Sequence, residues 1–192
     1  MSKPTPRFQL QFLKNIQRLL AEGRFNASYK YALLLALADI AVEKGDDSGV
    51  PLNISTNAIA EKYIQYYWRQ AIPYMPRGAT VATMVLQQNK GSQAEIVSFV
   101  GKARNRHGES LAALKRDEKG WASLANRVSR VVEEMPLWKL QTVGKMDFDF
   151  LYENHCEGTL IELRPGVAYC LRQFYGLIGT WYEEHGHDSF AA

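Results

Sequence analysis

The segment that most constrains the fold is "YALLLALADIAV" (31–42), which is apolar on nearly every face of a helix. Such a helix must be packed by neighbours on several sides, so we expect a central helix over about 27–44. The segment is too short to span a bilayer and contains Asp39. Because 46% of the chain is apolar and 22% is charged, its composition is typical of globular proteins and excludes a disordered chain.

The rest of the chain also indicates helices, together with two strands. Apolar residues at helical spacing predict helices over about 8–22, 56–68, 93–105 and 121–134, and a last helix that begins near Pro165. The segments "LWKLQTV" and "GTLIEL" (137–143 and 158–163) predict a β-hairpin, whereas "ATVATMVLQ" (80–88) is either a strand or irregular. The fold class is therefore mainly α (α+β). Residues 27–74 suggest a helix-turn-helix arrangement, with the hairpin as the wing of a winged helix.

We expect a single helix-rich domain over 1–192, with a sub-division near 75–93 and a disordered tail at 185–192. The start "MSKPTPRF" has no apolar signal core, so the expected location is cytoplasmic. Cys156 and Cys170 show no CxxC pairing and are expected to be free thiols, with Cys170 packed as a small apolar side chain.

Charge is divided unevenly along the chain. Residues 1–130 hold 19 Lys and Arg against 10 Asp and Glu, which gives +9, whereas residues 131–192 hold 4 against 10, which gives −6. Eight of the cations lie in residues 101–130, beside only three acids. Since phosphate contacts dominate nonspecific affinity for nucleic acids, we expect DNA contacts from most of them: Lys102, Arg104, Arg106, Lys115, Arg116, Arg127 and Arg130. The alternative is a solvated helix surface.

Aromatic residues lie beside cations in "YIQYYWRQ" (63–70), an arrangement that can stack on bases. Tyr63 and Tyr67 are spaced as an ordinary core face. Tyr66 and Arg69 are therefore the two residues predicted to stay outside and to contact nucleic acid.

Catalytic and metal-binding patterns are weak. Asp147, Asp149 and the triplet Glu162-Leu163-Arg164 are the best candidates for a Mg²⁺ site, and the triplet is similar to the acidic-residue-x-lysine element of many restriction nucleases. Arginine cannot serve as a proton-accepting base, however. The tail "EEHGHD" (183–188) brings His185 and His187 near carboxylates, at an end where fraying is the rule. No Gly-rich phosphate loop, nucleophile elbow or HExxH motif occurs, so we expect no catalytic constellation, no cofactor and no metal.

Five segments together resemble the N-terminal region of a bacterial family of HNH endonucleases: "NASYKYALLLALADIAVE", "LNISTNAIAEKYIQYYWRQAIPY", "WKLQ", "FLYEN" and "IELRPGVAYCLRQFYGLI". The most specific of them lie within residues 26–74 and 161–178. In that family the last helix leads on to a Cys- and His-bearing HNH domain, and nothing after Ile178 resembles it. The resemblance implies a targeting or regulatory module for a nuclease in restriction or phage defence, and no nuclease residue carries over.

Three hypotheses about function follow. The leading one is a non-catalytic DNA-binding or nuclease-accessory module. The second is a protein-interaction module, which dimerises or inhibits a related nuclease through the apolar stripe of 167–182. The third is a metal-dependent nuclease that uses Glu162. None of the three requires a membrane.

Overall fold

The computed structural model describes residues 3–22, 27–71, 92–134, 136–144, 146–154 and 158–186. The predicted sub-division near 75–93 and the segment 80–88 lie almost entirely outside these residues, as do Cys156, His187 and the rest of the tail. In chain order the elements are α1 (Pro6–Glu22), α2 (Ala27–Lys44), β1 (Leu52–Ser55), α3 (Thr56–Gln70), α4 (Ser92–His107), α5 (Leu111–Arg116), α6 (Glu118–Glu134), α7 (Pro136–Leu140), β2 (Thr142–Val143), β3 (Met146–Asp147), β4 (Leu160–Leu163), α8 (Val167–Gln173), α9 (Tyr175–Trp181) and a π-helical turn (Tyr182–Gly186). The fold is mainly α with short antiparallel strands, as predicted.

Helix α2 lies at the centre, as its all-round apolar sequence requires. It packs against α3, α7, α8, α9 and the π-helical turn, and nearly all its described side chains from Lys30 to Ala41 are buried. Cys170 of α8 is buried in the same core. Burial raises the pKa of its thiol to about 12, so this cysteine packs as a small apolar side chain, as expected.

Helix α3 begins where the sequence predicts, but it is more deeply buried than expected. Ser55 is its N-cap, with Oγ accepting a hydrogen bond from the Ala58 backbone N–H at 3.2 Å. The helix then packs against α2, α4 and α6, and between Thr56 and Arg69 only Asn57 and Arg69 are exposed. Insertion of α3 into a groove of DNA would therefore require the helix to leave the core.

The predicted strand pairing is also wrong. Residues 137–140 are helical, since Leu137 and Leu140 are three apart and Pro136 suits the first position of a helix. Strand β4 pairs instead with β1, with Leu52 opposite Leu163 and Ser55 opposite Leu160. The hairpin that precedes the last helices is a short one, β2–β3, which turns at Gly144 with φ of +65°.

The last helix is divided at Phe174, which separates α8 from α9. Most of its apolar stripe is buried within the chain, and Leu177, at 41%, is the stripe residue that is exposed. Pairing with another chain through this helix would therefore rest on Leu177 and on Tyr175, which is also exposed. In the described part of the chain, no helix combines the length and the apolar character needed to cross a bilayer.

Candidate nucleic-acid interface

A groove of about 190 Å³ lies between α4, α5 and α6, in the segment that the sequence marks as basic. We call it the basic groove and define it by the residues that line it: Phe99, Lys102, Ala103, Arg106, His107, Leu114, Gly120, Ser123, Leu124 and Arg127. Buried Leu114 and Leu124 give it an apolar base. The rest of the lining includes the cations Lys102, Arg106 and Arg127 and the aromatic ring of Phe99.

Helical spacing explains how the cations meet. On α4, Phe99, Lys102 and Arg106 follow one another at intervals of three and four residues, so they share one face of the helix. From α6, Arg127 reaches across and places its guanidinium carbon 3.9 Å from the centroid of the Phe99 ring. This cation–π contact restrains the arginine while it remains exposed.

The groove cations have no balancing carboxylate among the residues that the structure describes. Among the described residues, none forms an ion pair with Lys102, Arg106 or Arg127. Asp117 contacts the lining, with its Oδ2 3.5 Å from Nε2 of His107. Its Oδ1 accepts a hydrogen bond from the Gly120 backbone N–H at 3.0 Å, at the start of α6. Asp117 is thus held at the helix end, and the groove keeps a net positive charge.

Four further predicted contacts, Lys115, Arg116, Arg130 and Arg69, are exposed outside the groove lining. Arg130 lies almost one turn beyond Arg127 on α6. The ammonium group of Lys115 lies 5.2 Å from the centroid of the Trp121 ring. Lys115, Arg116 and Arg130 lie on α5 and α6, which also line the groove, so they can extend its positively charged surface.

Two predicted contacts have structural roles instead. The Arg104 side chain is only 10% exposed, and its Nη1 donates to the Trp68 carbonyl at 2.6 Å, near the end of α3. Tyr66 is half-buried, and its hydroxyl donates to Asp39 Oδ2 at 2.7 Å. Burial first, and then this hydrogen bond, raise the pKa of Tyr66 far above its usual value. The prediction that Tyr66 stays outside is wrong.

The candidate nuclease residues do not come together. Glu162 is exposed and lies opposite Asn53 in the β1–β4 pair, whereas Asp147 Oδ1 accepts a hydrogen bond from the Thr142 hydroxyl at 2.9 Å. Asp149 Oδ1 accepts from the Asn154 backbone N–H at 3.2 Å. Within the described ranges, no three His, Cys, Asp or Glu side chains lie close enough together to hold a metal ion.

Sequence reasoning missed a half-buried polar cluster around Asp39. Its two carboxylate oxygens accept hydrogen bonds from the hydroxyls of Tyr66 and Tyr175, at 2.7 and 2.8 Å. Lys62 Nζ lies 3.7 Å from Asp39 Oδ2 and also forms an ion pair with Glu43. The signal was an acidic residue inside an otherwise apolar helix, because a charge at such a position needs partners.

The chain belongs to the family described as "Domain of unknown function (DUF8808)", whose model matches residues 9–138. The matched segment contains all of the residues that line the basic groove. No curated protein matches the chain, and no solved structure matches it.

Proposed function

We propose that this protein is a non-catalytic module that binds DNA through its phosphates at the basic groove, and that it serves as a DNA-binding or nuclease-accessory unit in restriction or phage defence. The observation that carries the proposal is the meeting of Lys102, Arg106 and Arg127, from two helices, around one groove without an ion-pair partner among the described residues. Three cations held at one groove repel one another, and a polyanion relieves that repulsion.

The composition of the groove favours a phosphate backbone over a small inorganic anion. Lysine and arginine are the usual phosphate contacts in protein–DNA complexes, and exposed Lys115, Arg116 and Arg130 lie on α5 and α6, two of the three helices that line the groove. A ligand with charges repeated along its length can contact this wider set. The Phe99–Arg127 contact also limits the conformational entropy that the arginine loses on binding.

The geometry supports binding without reading of the base sequence. Helix α3, the candidate for insertion into a groove of the duplex, is held in the core. Phosphate contacts position a protein on DNA and carry no direct sequence information. We therefore expect similar affinities for duplexes of unrelated sequence.

Fluorescence anisotropy tests the proposal with two labelled duplexes of unrelated sequence, titrated at several salt concentrations. Both are expected to bind, with an affinity that falls steeply as salt rises. The double variant Arg127→Glu and Arg130→Glu should weaken binding to both duplexes alike. Absence of binding at low salt, or binding that does not respond to salt, would contradict the proposal.

A further inference from the structure

A second cavity, of about 330 Å³, lies between the start of α3, the end of α6, α7 and the chain around β4. We call it the acidic cavity, and it is lined by Thr56, Glu133, Leu137, Trp138, Tyr152, Glu153, Asn154, Gly158, Thr159 and Ile161. Its volume lies in the lower part of the range of small-ligand sites. It shares no lining residue with the basic groove.

One part of the lining is apolar and held in place. Leu137, Tyr152 and Ile161 are buried, whereas Trp138 is 44% exposed. The Tyr152 hydroxyl donates to the Leu137 carbonyl at 2.6 Å, and the Trp138 indole N–H donates to the Glu134 carbonyl at 2.7 Å. Both rings are therefore restrained before any ligand binds, which lowers the entropic cost of binding.

The other part of the lining carries negative charge. Glu133 Oε1 accepts hydrogen bonds from the hydroxyls of Thr56 at 2.5 Å and of buried Ser129 at 2.8 Å, which hold the carboxylate in position. In the described part of the chain, no hydrogen bond reaches the second oxygen, Oε2. Glu153 adds a second carboxylate, and none of the described residues that line the cavity is lysine or arginine.

We propose that the acidic cavity binds an organic cation, a ligand that carries an ammonium or guanidinium group on a short apolar stem. The cationic group pairs with the carboxylate of Glu133, in a charge-assisted hydrogen bond, while the stem lies against Trp138 and Leu137. The Trp138 ring already attracts a cation, because the ammonium group of Lys139 lies 4.9 Å from its centroid. This inference does not rest on the proposed binding of DNA.

Isothermal titration calorimetry tests this with three probes of the same stem: butylammonium, butylguanidinium and the neutral 1-butanol. Both cations are expected to bind at least about tenfold more tightly than the alcohol, a difference of about 1.4 kcal/mol. Capped arginine, N-acetyl-arginine methylamide, is a further arm. If it binds as well as butylguanidinium, the cavity accepts the side chain of a protein partner, and weaker binding identifies a free amine or guanidine as the ligand.

Neighbouring residues of α6 offer a matched pair of variants. Glu133→Gln should weaken the binding of both cations by at least about fivefold, since the cationic donor then meets a neutral amide oxygen instead of a carboxylate. Glu134→Gln removes the same charge at an exposed residue that does not line the cavity, and it should leave the affinity nearly unchanged. If Glu133→Gln lowers the urea midpoint of unfolding because its contact with Thr56 is altered, Glu153→Gln is the variant to use. It removes the second carboxylate of the cavity and should also weaken the binding of both cations. Equal binding of cation and alcohol, or equal effects of Glu133→Gln and Glu134→Gln, would overturn the proposal.

Discussion

Removal of the three groove cations should reduce the salt dependence of DNA binding by a calculable amount. In the triple variant Lys102→Gln, Arg106→Gln and Arg127→Gln, three phosphate contacts are lost. Since each contact contributes about −0.9 to the slope of log K against log[salt], the slope should become shallower by about 2.7. Extrapolated to about 0.1 M salt from a 1 M reference, the same term amounts to about 2.7 decades in affinity, or about 3.7 kcal/mol.

The assay is fluorescence anisotropy of one labelled duplex, titrated with protein at a series of salt concentrations. A matched control triple, Arg7→Gln, Lys14→Gln and Lys44→Gln, removes the same charge from exposed residues of α1 and α2. Those positions do not line the basic groove. The control should therefore keep most of the salt slope of the unmodified protein, because only the long-range field is reduced.

Two results would refute this reasoning. If both triples reduce the slope equally, net charge alone drives binding and the groove has no special part. If the groove triple keeps the salt slope of the unmodified protein while its circular dichroism spectrum shows an intact fold, the protein contacts the DNA phosphates at another surface.

Three further predictions concern stability, and urea unfolding measures each of them. Gly101→Ala should raise the free energy of unfolding by about 0.5–1 kcal/mol, because the residue lies inside α4 and a Cβ there meets nothing within 4 Å. Gly166→Ala should lower it by at least about 1 kcal/mol, because φ is +82° and a Cβ would lie 3.0 Å from the Phe8 ring; a neutral effect would contradict the described turn. The hydrogen bond to Asp39, and then burial, raise the pKa of Tyr175 to about 12, above its usual 10.0. The folded state therefore keeps a proton that the unfolded chain releases, so this contribution is complete below pH 10 and is lost as pH rises toward 12. Tyr175→Phe should flatten the fall of stability over that window, and an unchanged pH profile would count against the Asp39 hydrogen bond.

The central helix could be predicted from the sequence because its pattern has a single solution. A run of apolar residues on every face of α2 requires neighbours all round, and α2 has them. The strands were harder to predict. In "LWKLQTV", Leu137, Trp138 and Leu140 fit a strand and a helical turn equally well, and the pairing of β4 with β1 joins segments more than a hundred residues apart. Local pattern carries no information about such distant partners.

The site could be predicted only in part, for a related reason. Composition located the basic segment but treated Lys102, Arg104 and Arg106 alike. Helical spacing puts Arg104 on a different face of α4 from the other two. Which face meets solvent depends on where α3 ends in space, because the Arg104 side chain turns to the carbonyl of Trp68. Likewise, the position of Tyr66 in "YIQYYWRQ" gave no sign that Asp39 would hold its hydroxyl.

The pairing of β1 with β4 has a consequence for the extent of the family segment. That segment stops at residue 138, whereas β1 within it is paired with residues 160–163, and Asp39 within it accepts a hydrogen bond from Tyr175. A chain shortened to 9–138 would expose an unpaired strand edge and one side of its central apolar helix, both of which promote aggregation. The residues of this chain that must fold together therefore extend beyond the matched segment, to β4 and Tyr175.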